Sequence, residues 1–417
     1  MNPSSSPYDF VAVGGGAAGF FAAIAFGEAA PGRRIAILEK GGSVLGKVKI
    51  SGGGRCNVTH ACFEPIPFTA HYPRGERNLI GPLHRWGASE TVEWFANRGV
   101  ELKTESDGRM FPSTDRSETV VDCLVEAARE CGVDILTKHE VDRLDPGGDA
   151  WEIVCKGGER LTSRAALLST GGIRSEAGAR MAAELGHGVV PAAPSLFAFK
   201  IDDPRLADLA GVSVGSVGIR VSESRFRSTG PALVTHWGLS GPAVLKLSAW
   251  GARELFERNY RFEIAVDWCA DMSSGEVESK LAAARDRFSR KRVRSGPPDI
   301  ALPARLWRRL VAASGVADET TWSNLSKDAR RRLQAELTAG RYLVDGKSMN
   351  KDEFVTAGGV VLDDVDFKTM ESRLAPGLYF AGEILDIDGI TGGFNFQSAW
   401  TTGRLAGESA ARAIGST

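Results

Sequence analysis

Gly14-x-Gly16-x-x-Gly19 stands directly after the β-rich run "YDFVAV" and opens the Ala-rich run "AAGFFAAIAFGEAA". A second apolar strand pattern, "RRIAILEK", follows and ends at Glu39, 20 residues beyond Gly19. Strand, glycine turn, helix and strand make one βαβ unit, and each glycine has a mechanical use. The first allows the tight turn, the second lets backbone approach a pyrophosphate, and the third lets helix and strand pack closely. The helix start offers free N–H groups and a positive dipole end, while an acid after the second strand can accept from ribose hydroxyls. Gly14, Gly16, Ala17, Ala18, Gly19, Glu39 and Lys40 are therefore the expected contacts of a dinucleotide. A glycine-rich turn that merely packs is the plainer alternative.

The rest of the chain limits what surrounds that unit. At 417 residues it can bury a large core, and two or three domains are expected. A net charge of -1 gives no overall pull toward nucleic acid or anionic membranes. Six scattered cysteines do not form a disulfide framework, so a reducing, cytoplasmic setting is expected. The apolar stretch from Phe10 to Phe26 has 17 residues with four glycines and no basic residue before it, a poor secretion signal and a poor membrane span.

Along the chain, "DRSETVVDCLVEAAREC" has helical spacing, and "VDILTKHEVDRLD", "AWEIVCKG" and "LTSRAALLSTGG" follow as strands of a meander. The α/β texture then breaks. Residues 196 to 268 show short alternating strands, 274 to 340 look helical, and the α/β texture resumes from "FVTAGGVVL". The expected architecture is an α/β, Rossmann-like domain from 1–191 and 355–417. It is interrupted by a β-barrel-like subdomain (192–272 and 341–354) and a helical one (273–340).

A second glycine run lies in "KVKISGGGRCNVTH". Glycines remove side chains so that backbone can lie against something flat or anionic. The stretch "GLYFAGEILDIDGITGGFNFQSAWTTG" resembles the closing motif of two-dinucleotide-binding-domain flavoproteins, with Gly382-Glu383 where those proteins carry Gly-Asp. Gly392 and Gly393 precede a helix whose start would face a flavin's pyrimidine edge, with Phe394 and Asn395 beside it, and stabilise the negative charge of reduced flavin. "STGG" resembles the Ala-Thr-Gly turn of the same superfamily, which brings Thr170, Gly171 and Gly172 near the nucleotide. The expected cofactor set also takes in Val141.

Together "KVKISGGGRCNVTH", "GRMFPSTDRSETVVDCL", "THWGLSGPAVLKLS", "TAGGV" and "MESRLAPGLYFAGEILDIDGITGGFNFQSAW" closely resemble the bacterial HI-type conserved flavoproteins. These are NAD(P)/FAD-dependent or aminoacetone-oxidase-type enzymes, distantly like the fumarate-reductase flavoproteins. The resemblance implies FAD as cofactor, NAD(P)H as a reductant, and an inserted barrel and helical subdomain. It also implies that Ser51, Gly52, Gly53, Arg55, Cys56 and Asn57 contact flavin, with Lys47 or Lys49 near phosphate. Activities across that family vary: reduction of C=C bonds in oxidised bile acids, amine oxidation with O2, and reduction of a uridine in ribosomal RNA. Function is thus not fixed by fold.

Other residues offer narrower readings. A redox pair of Cys56 and Cys62 would make a disulfide reductase, but five residues lie between the two where such enzymes have four. No second nucleotide unit appears, and no histidine follows His236. The spacing of Cys56, His60, Cys62 and His71 does not fit a metal site. His236, in "THWGLSGP", is the candidate proton donor to a small-molecule substrate. Residues 280–341 hold 15 Lys/Arg against 6 Asp/Glu, with Trp307 and Trp322 nearby, a composition suited to ribosomal RNA or to a solvated helical face.

Overall fold

The structure, a computed structural model, describes residues 6–173, 176–348 and 355–415. The end of the expected return segment 341–354 lies outside the described residues. The chain divides into two compact units, residues 1–193 with 355–417, and residues 194–354.

The first unit begins with β1 (Tyr8–Val13), α1 (Ala17–Ala29) and β2 (Ile35–Glu39). Next come α2 (Gly46–Gly54), β3 (Thr59–His60), α3 (Pro65–Thr69), α4 (Glu76–Arg85) and α5 (Ala88–Ala96). β4 (Leu102–Thr104), β5 (Arg109–Pro112), α6 (Ser117–Glu130), β6 (Val133–Thr137), β7 (Val141–Gly147), β8 (Ala150–Cys155) and β9 (Arg160–Leu168) follow, then α7 (Ala177–Glu184) and β10 (Val189–Ser195).

The second unit holds β11 (Ala198–Lys200), β12 (Ser213–Val221), β13 (Arg227–Thr235), β14 (Gly238–Ser240), α8 (Pro242–Trp250), α9 (Ala252–Glu257) and β15 (Arg261–Asp267). Its helical part is α10 (Ser274–Arg287), α11 (Ala304–Ala313) and α12 (Lys327–Ala339), and β16 (Gly340–Asp345) and β17 (Lys347–Ser348) close it. The chain re-enters the first unit with β18 (Val355–Val360), β19 (Val365–Asp366), β20 (Glu371–Ser372), β21 (Leu378–Phe380) and α13 (Phe394–Gly415).

β21, β9, β1, β2 and β6 lie side by side in parallel, so chain from both ends builds one sheet. Their runs "FVAV", "IAIL" and "AALL" are continuously apolar, as strands covered on both faces must be. α1 is apolar all round and buried from Ala18 to Gly27. It meets α13 backbone to backbone: a Cβ on Gly407 would come within 2.1 Å of the Ala22 carbonyl oxygen, and one on Gly403 within 2.6 Å of that of Ala18. The helix made by the glycine turn is therefore locked onto the helix that ends the chain.

In the second unit the sheet order β16-β15-β12-β13-β14-β11-β17 is antiparallel throughout. Its two edges are consecutive in sequence, joined at Gly346, whose carbonyl accepts from Lys200 N at 3.0 Å. The sheet thus curls back toward itself.

Three sequence expectations need correction. The second glycine run is not a plain loop, because Lys47 to Ile50 wind a helical turn before Ser51 (ψ 152°) breaks it. Residues 242 to 257, read as part of a strand-rich stretch, form α8 and α9. Pro242 occupies a helix start, where its missing N–H costs nothing, and Leu247 and Leu255 fill the core. Trp307 and Trp322 are buried and stacked at 6.3 Å, with Trp307 Nε1 donating to Val293 O at 2.8 Å, so neither presents a face to a base. Among the described residues no helix is long and apolar enough to cross a membrane.

Candidate active site

At the first glycine turn Gly14 has φ 114°, and a Cβ there would sit 2.4 Å from the Ser169 carbonyl oxygen. A Cβ on Gly19 would sit 2.1 Å from the Gly14 carbonyl oxygen. Both glycines are required by the protein's own packing. Gly16 differs, because a Cβ there meets nothing within 4 Å. It is the N-cap of α1, which has no side-chain cap and no acid in its first turn, so the amides around Ala17 and Ala18 are unclaimed by any capping side chain. Open space beside uncapped N–H groups fits an anionic pyrophosphate.

Glu39, at the end of β2, accepts from Gly15 N at 3.0 Å and Gly41 N at 2.7 Å, which fixes its carboxylate at the rim of this turn. Lys40 beside it is exposed, and Val141 is buried at the start of β7, paired with Cys155.

The glycines at 52, 53 and 54 have φ of 58°, 70° and 85°, three successive left-handed residues that only glycine adopts without strain. Gly52 backs onto Phe111 Cε1, 2.8 Å from where its Cβ would be, while Gly53 and Gly54 face open space. Ser51 Oγ donates to Val48 O at 2.9 Å and Ser51 O accepts from Cys56 N at 3.0 Å, so the left-handed turn is pinned at its base.

Cys56 is fully buried at φ 62°, and desolvation pushes its thiol up to about 12 despite a hydrogen bond from Ser51. Both Cys56 and Cys62 are free thiols. A group held as the neutral thiol is a poor nucleophile, which weighs against disulfide exchange. Arg55 folds back on the glycine turn, its Nε donating to Gly52 O at 3.4 Å, while its guanidinium pairs with Glu105 at 2.6 Å and lies 4.0 Å over the Phe111 ring.

The C-terminal motif meets these turns. Gly382 (φ 76°) donates its N–H to Thr402 Oγ1 at 2.9 Å, and Glu383 Oε2 lies 2.5 Å from Lys47 Nζ, joining the second glycine segment to the closing motif. A Cβ on Gly172 would lie 3.6 Å from Glu383 Oε2, and one on Gly171 4.0 Å from Lys47 Nζ. Thr170 packs behind them: a Cβ on Gly178 would overlap its hydroxyl. Residues far apart in sequence, Lys47, Gly171, Gly172 and Glu383, thus share one rim.

Gly392 (φ 133°) and Gly393 (φ 93°) lead into α13, which has no acid in its first turn. The Asn57 carboxamide, with its nitrogen toward Thr59 O (3.0 Å) and Met110 O (3.2 Å), accepts from Gly393 N at 2.9 Å. Phe394 is buried, its ring packed against those of both His60 (4.8 Å) and His71 (4.3 Å), which lie 6.0 Å from each other, and Tyr72 donates to its carbonyl oxygen at 2.6 Å. Asn395 exchanges two hydrogen bonds with Gly389 at 2.8 and 3.0 Å, and Arg74 grips the fully buried Asp388 with two nitrogens. Side chains of this loop therefore fix it, and no acidic side chain occupies the first turn of α13.

Sequence reasoning left out the groups behind this loop: Tyr72, His60 as a ring partner, and Gln397. Burial lowers the His60 imidazole, and its Nδ1 is buried without a partner among the described residues. His236 is exposed in the turn between β13 and β14, next to Trp237. No group of three or more His, Cys, Asp or Glu able to hold a metal occurs among the described residues.

The family described as "HI0933-like protein Rossmann domain" matches residues 8–409. The 3-dehydro-bile acid delta(4,6)-reductase of Clostridium scindens is 29% identical over 407 residues, covering 96% of this chain and 98% of its own. The ribosomal RNA dihydrouridine synthase of Escherichia coli is 30% identical over 403 residues, covering 95% of this chain and 96% of its own. Among solved structures, a 3-ketosteroid delta1-dehydrogenase from Sterolibacterium denitrificans has a TM-score of 0.54 at 13% identity, covering 98% of this chain and 100% of its own. A 3-ketosteroid-delta4-(5alpha)-dehydrogenase from Rhodococcus jostii has a TM-score of 0.52 at 18% identity, covering 98% of each chain. At those identities the structures show a shared fold.

Proposed function

From the premise that the chain belongs to the HI0933-like family and is an FAD-dependent oxidoreductase, we propose that it reduces a carbon–carbon double bond conjugated to a carbonyl, with NAD(P)H as reductant. The observation that carries this reading is that two relatives with unlike substrates share one chemical act. A delta(4,6)-reductase and a dihydrouridine synthase each place two hydrogens across a C=C bond.

The site residues have parts to match. Gly16 and the uncapped start of α1 would hold the pyrophosphate of FAD, Glu39 a ribose, and the rim of Lys47, Gly171, Gly172 and Glu383 the chain between pyrophosphate and ring. The open turn at Gly53 and Gly54 would lie along the flavin, and the start of α13 would favour negative charge at its pyrimidine edge. When bound, FAD supplies the hydride that adds to the electron-poor carbon. His236 is our candidate for the proton delivered to the carbon next to the carbonyl, since an exposed imidazole can exchange its proton with water between turnovers.

Two measurements test this reading. Under anaerobic conditions NADH or NADPH should bleach the yellow holoprotein, and an enone should restore the colour faster than air does. Rapid reoxidation by O2 with none by enones would replace the reading with an oxidase. His236→Gln should keep FAD bound and lower the turnover of an accepted enone by roughly 10²- to 10⁴-fold, the span of one general acid. Unchanged turnover would assign the proton to another group or to water.

A second reading, reduction of a uridine in RNA, has its own observation. Arg285, Arg290, Arg308, Lys327 and Arg331 are exposed on α10 to α12 and the turn after α10, without ion pairs among the described residues. Retention of RNA that falls steeply with salt would support it, and no retention at low salt would remove it.

A further inference from the structure

We infer that Gln397 is a positioning residue: its buried carboxamide fixes the start of α13 against the second glycine segment. Gln397 lies one turn into α13 and is completely buried. Its Oε1 accepts from Thr59 Oγ1 at 2.6 Å, and its Nε2 donates to Thr91 Oγ1 at 2.9 Å and Thr401 Oγ1 at 3.1 Å.

The direction of each bond is set by what lies behind it. Thr91 donates its own hydroxyl proton to Gly87 O at 3.0 Å, and Thr401 donates to Trp86 O at 2.8 Å. Neither hydroxyl can give a proton to Gln397, so both must accept from it, and the carboxamide has one orientation. All four side chains of this network are buried to zero exposure. A satisfied polar network of this kind contributes less to stability than to uniqueness, because any shift leaves a buried group unpaired.

Its location gives that uniqueness a purpose. Thr59 follows the left-handed glycines by a few residues, and its carbonyl oxygen would lie 2.4 Å from a Cβ on Gly393. Asn57 takes the Gly393 N–H, and Gln397 N donates to Gly393 O at 2.9 Å. Gln397 therefore braces the contact in which the second glycine segment and the amino end of α13 touch. The inference rests on the flavin lying at this contact and is independent of which substrate is reduced.

The test is the midpoint potential of bound FAD, titrated with dithionite across pH, in Gln397→Glu and Thr59→Val, alongside the thermal melt of each holoprotein. Glutamic acid has nearly the shape of glutamine and, when protonated, can still donate one hydrogen bond. Ionised, it donates none and places a negative charge beside α13's start. Q397E should lie close to the parent protein at low pH, where one of the two donated bonds is kept, then shift to lower potential as pH rises through the ionisation of the buried acid, a step absent from the parent. T59V should shift the potential at every pH. Potentials that track the parent in both variants, with FAD bound, would overturn the inference. Should Q397E fail to fold at any pH, T59V alone decides by the same comparison.

Discussion

The two glycine turns of the first unit use the same residue for opposite purposes. At Gly14 and Gly19 the missing Cβ makes room for the protein itself, whose carbonyl oxygens lie 2.4 and 2.1 Å from where the side chains would be. At Gly53 and Gly54 nothing lies within 4 Å, and glycine is needed for its positive φ. Only Gly16 in the first turn has the same openness. A glycine motif therefore divides into positions that build the fold and positions that leave room for a ligand, and spacing alone does not separate them. Substitutions do.

The largest effect is expected at Gly19. Gly19→Val places a branched side chain against the Gly14 carbonyl oxygen and Ser169 Oγ, both backed by the central strands. A loss of more than about 3 kcal/mol follows from overpacking at a site with no flexible neighbour. The melting temperature, or the yield of soluble protein, should collapse with or without added FAD. A variant that melts like the parent would mean that the turn is looser than its packing implies.

The first turn was legible because its strand, glycines, helix start and acid lie within the 32 residues from Tyr8 to Glu39, and local spacing marks its chemistry, even though Ser169, against which Gly14 and Gly19 pack, comes from far along the chain. The parallel strands were legible for a related reason: continuous apolar runs bounded by glycines have few other fates. What escaped was non-local. The partners of Gln397 are 338 and 306 residues away in Thr59 and Thr91, and nothing in "FNFQSAW" marks that glutamine as their keystone except a polar residue on a buried helix face. Arg55 and Phe394 were placed by motif at the flavin, yet their side chains engage Glu105 and the His60–His71 pair. A motif speaks for the backbone, while tertiary neighbours decide where the side chains go. Helices α8 and α9 escaped because "GPAVLKLSAWGARELFE" is short and mostly apolar, a pattern that strand and helix share.

A second, smaller effect separates the turns by pH. Cys56, at the end of the second turn, is held as the neutral thiol, its folded value raised by burial from 9.0 to about 12. The sign follows from proton linkage. The stability from burying the neutral thiol is fully present below pH 9 and is lost as pH rises from about 9 toward 12, because only the unfolded chain releases the proton there. The slope reaches about 1.4 kcal/mol per pH unit from this group. Cys56→Ser should flatten part of the alkaline fall in unfolding free energy, keep FAD, and leave most turnover intact. Turnover abolished with FAD retained would revive a thiol mechanism. Unfolded-state chemistry aside, Cys56 should resist alkylation at pH 8 in the native protein.

The smallest effects on stability are the most informative about the cofactor. Gly16 has φ -95° and open surroundings, so Gly16→Ala adds a methyl group without backbone strain and should leave the melt of the FAD-free protein within about 0.5 kcal/mol. Gly53→Ala forces alanine to φ 70° and should cost about 1 kcal/mol for that conformation, again without a clash. If both openings receive FAD, each methyl group occupies space the cofactor needs, and FAD affinity should fall at least about tenfold, about 1.4 kcal/mol, beyond any loss of fold stability. Fluorescence quenching of FAD titrated with each apoprotein reads this directly. Normal affinity in G16A would make the first turn a packing device throughout. Normal affinity in G53A, with G16A impaired, would confine the cofactor to the first turn and leave the second free to meet the substrate.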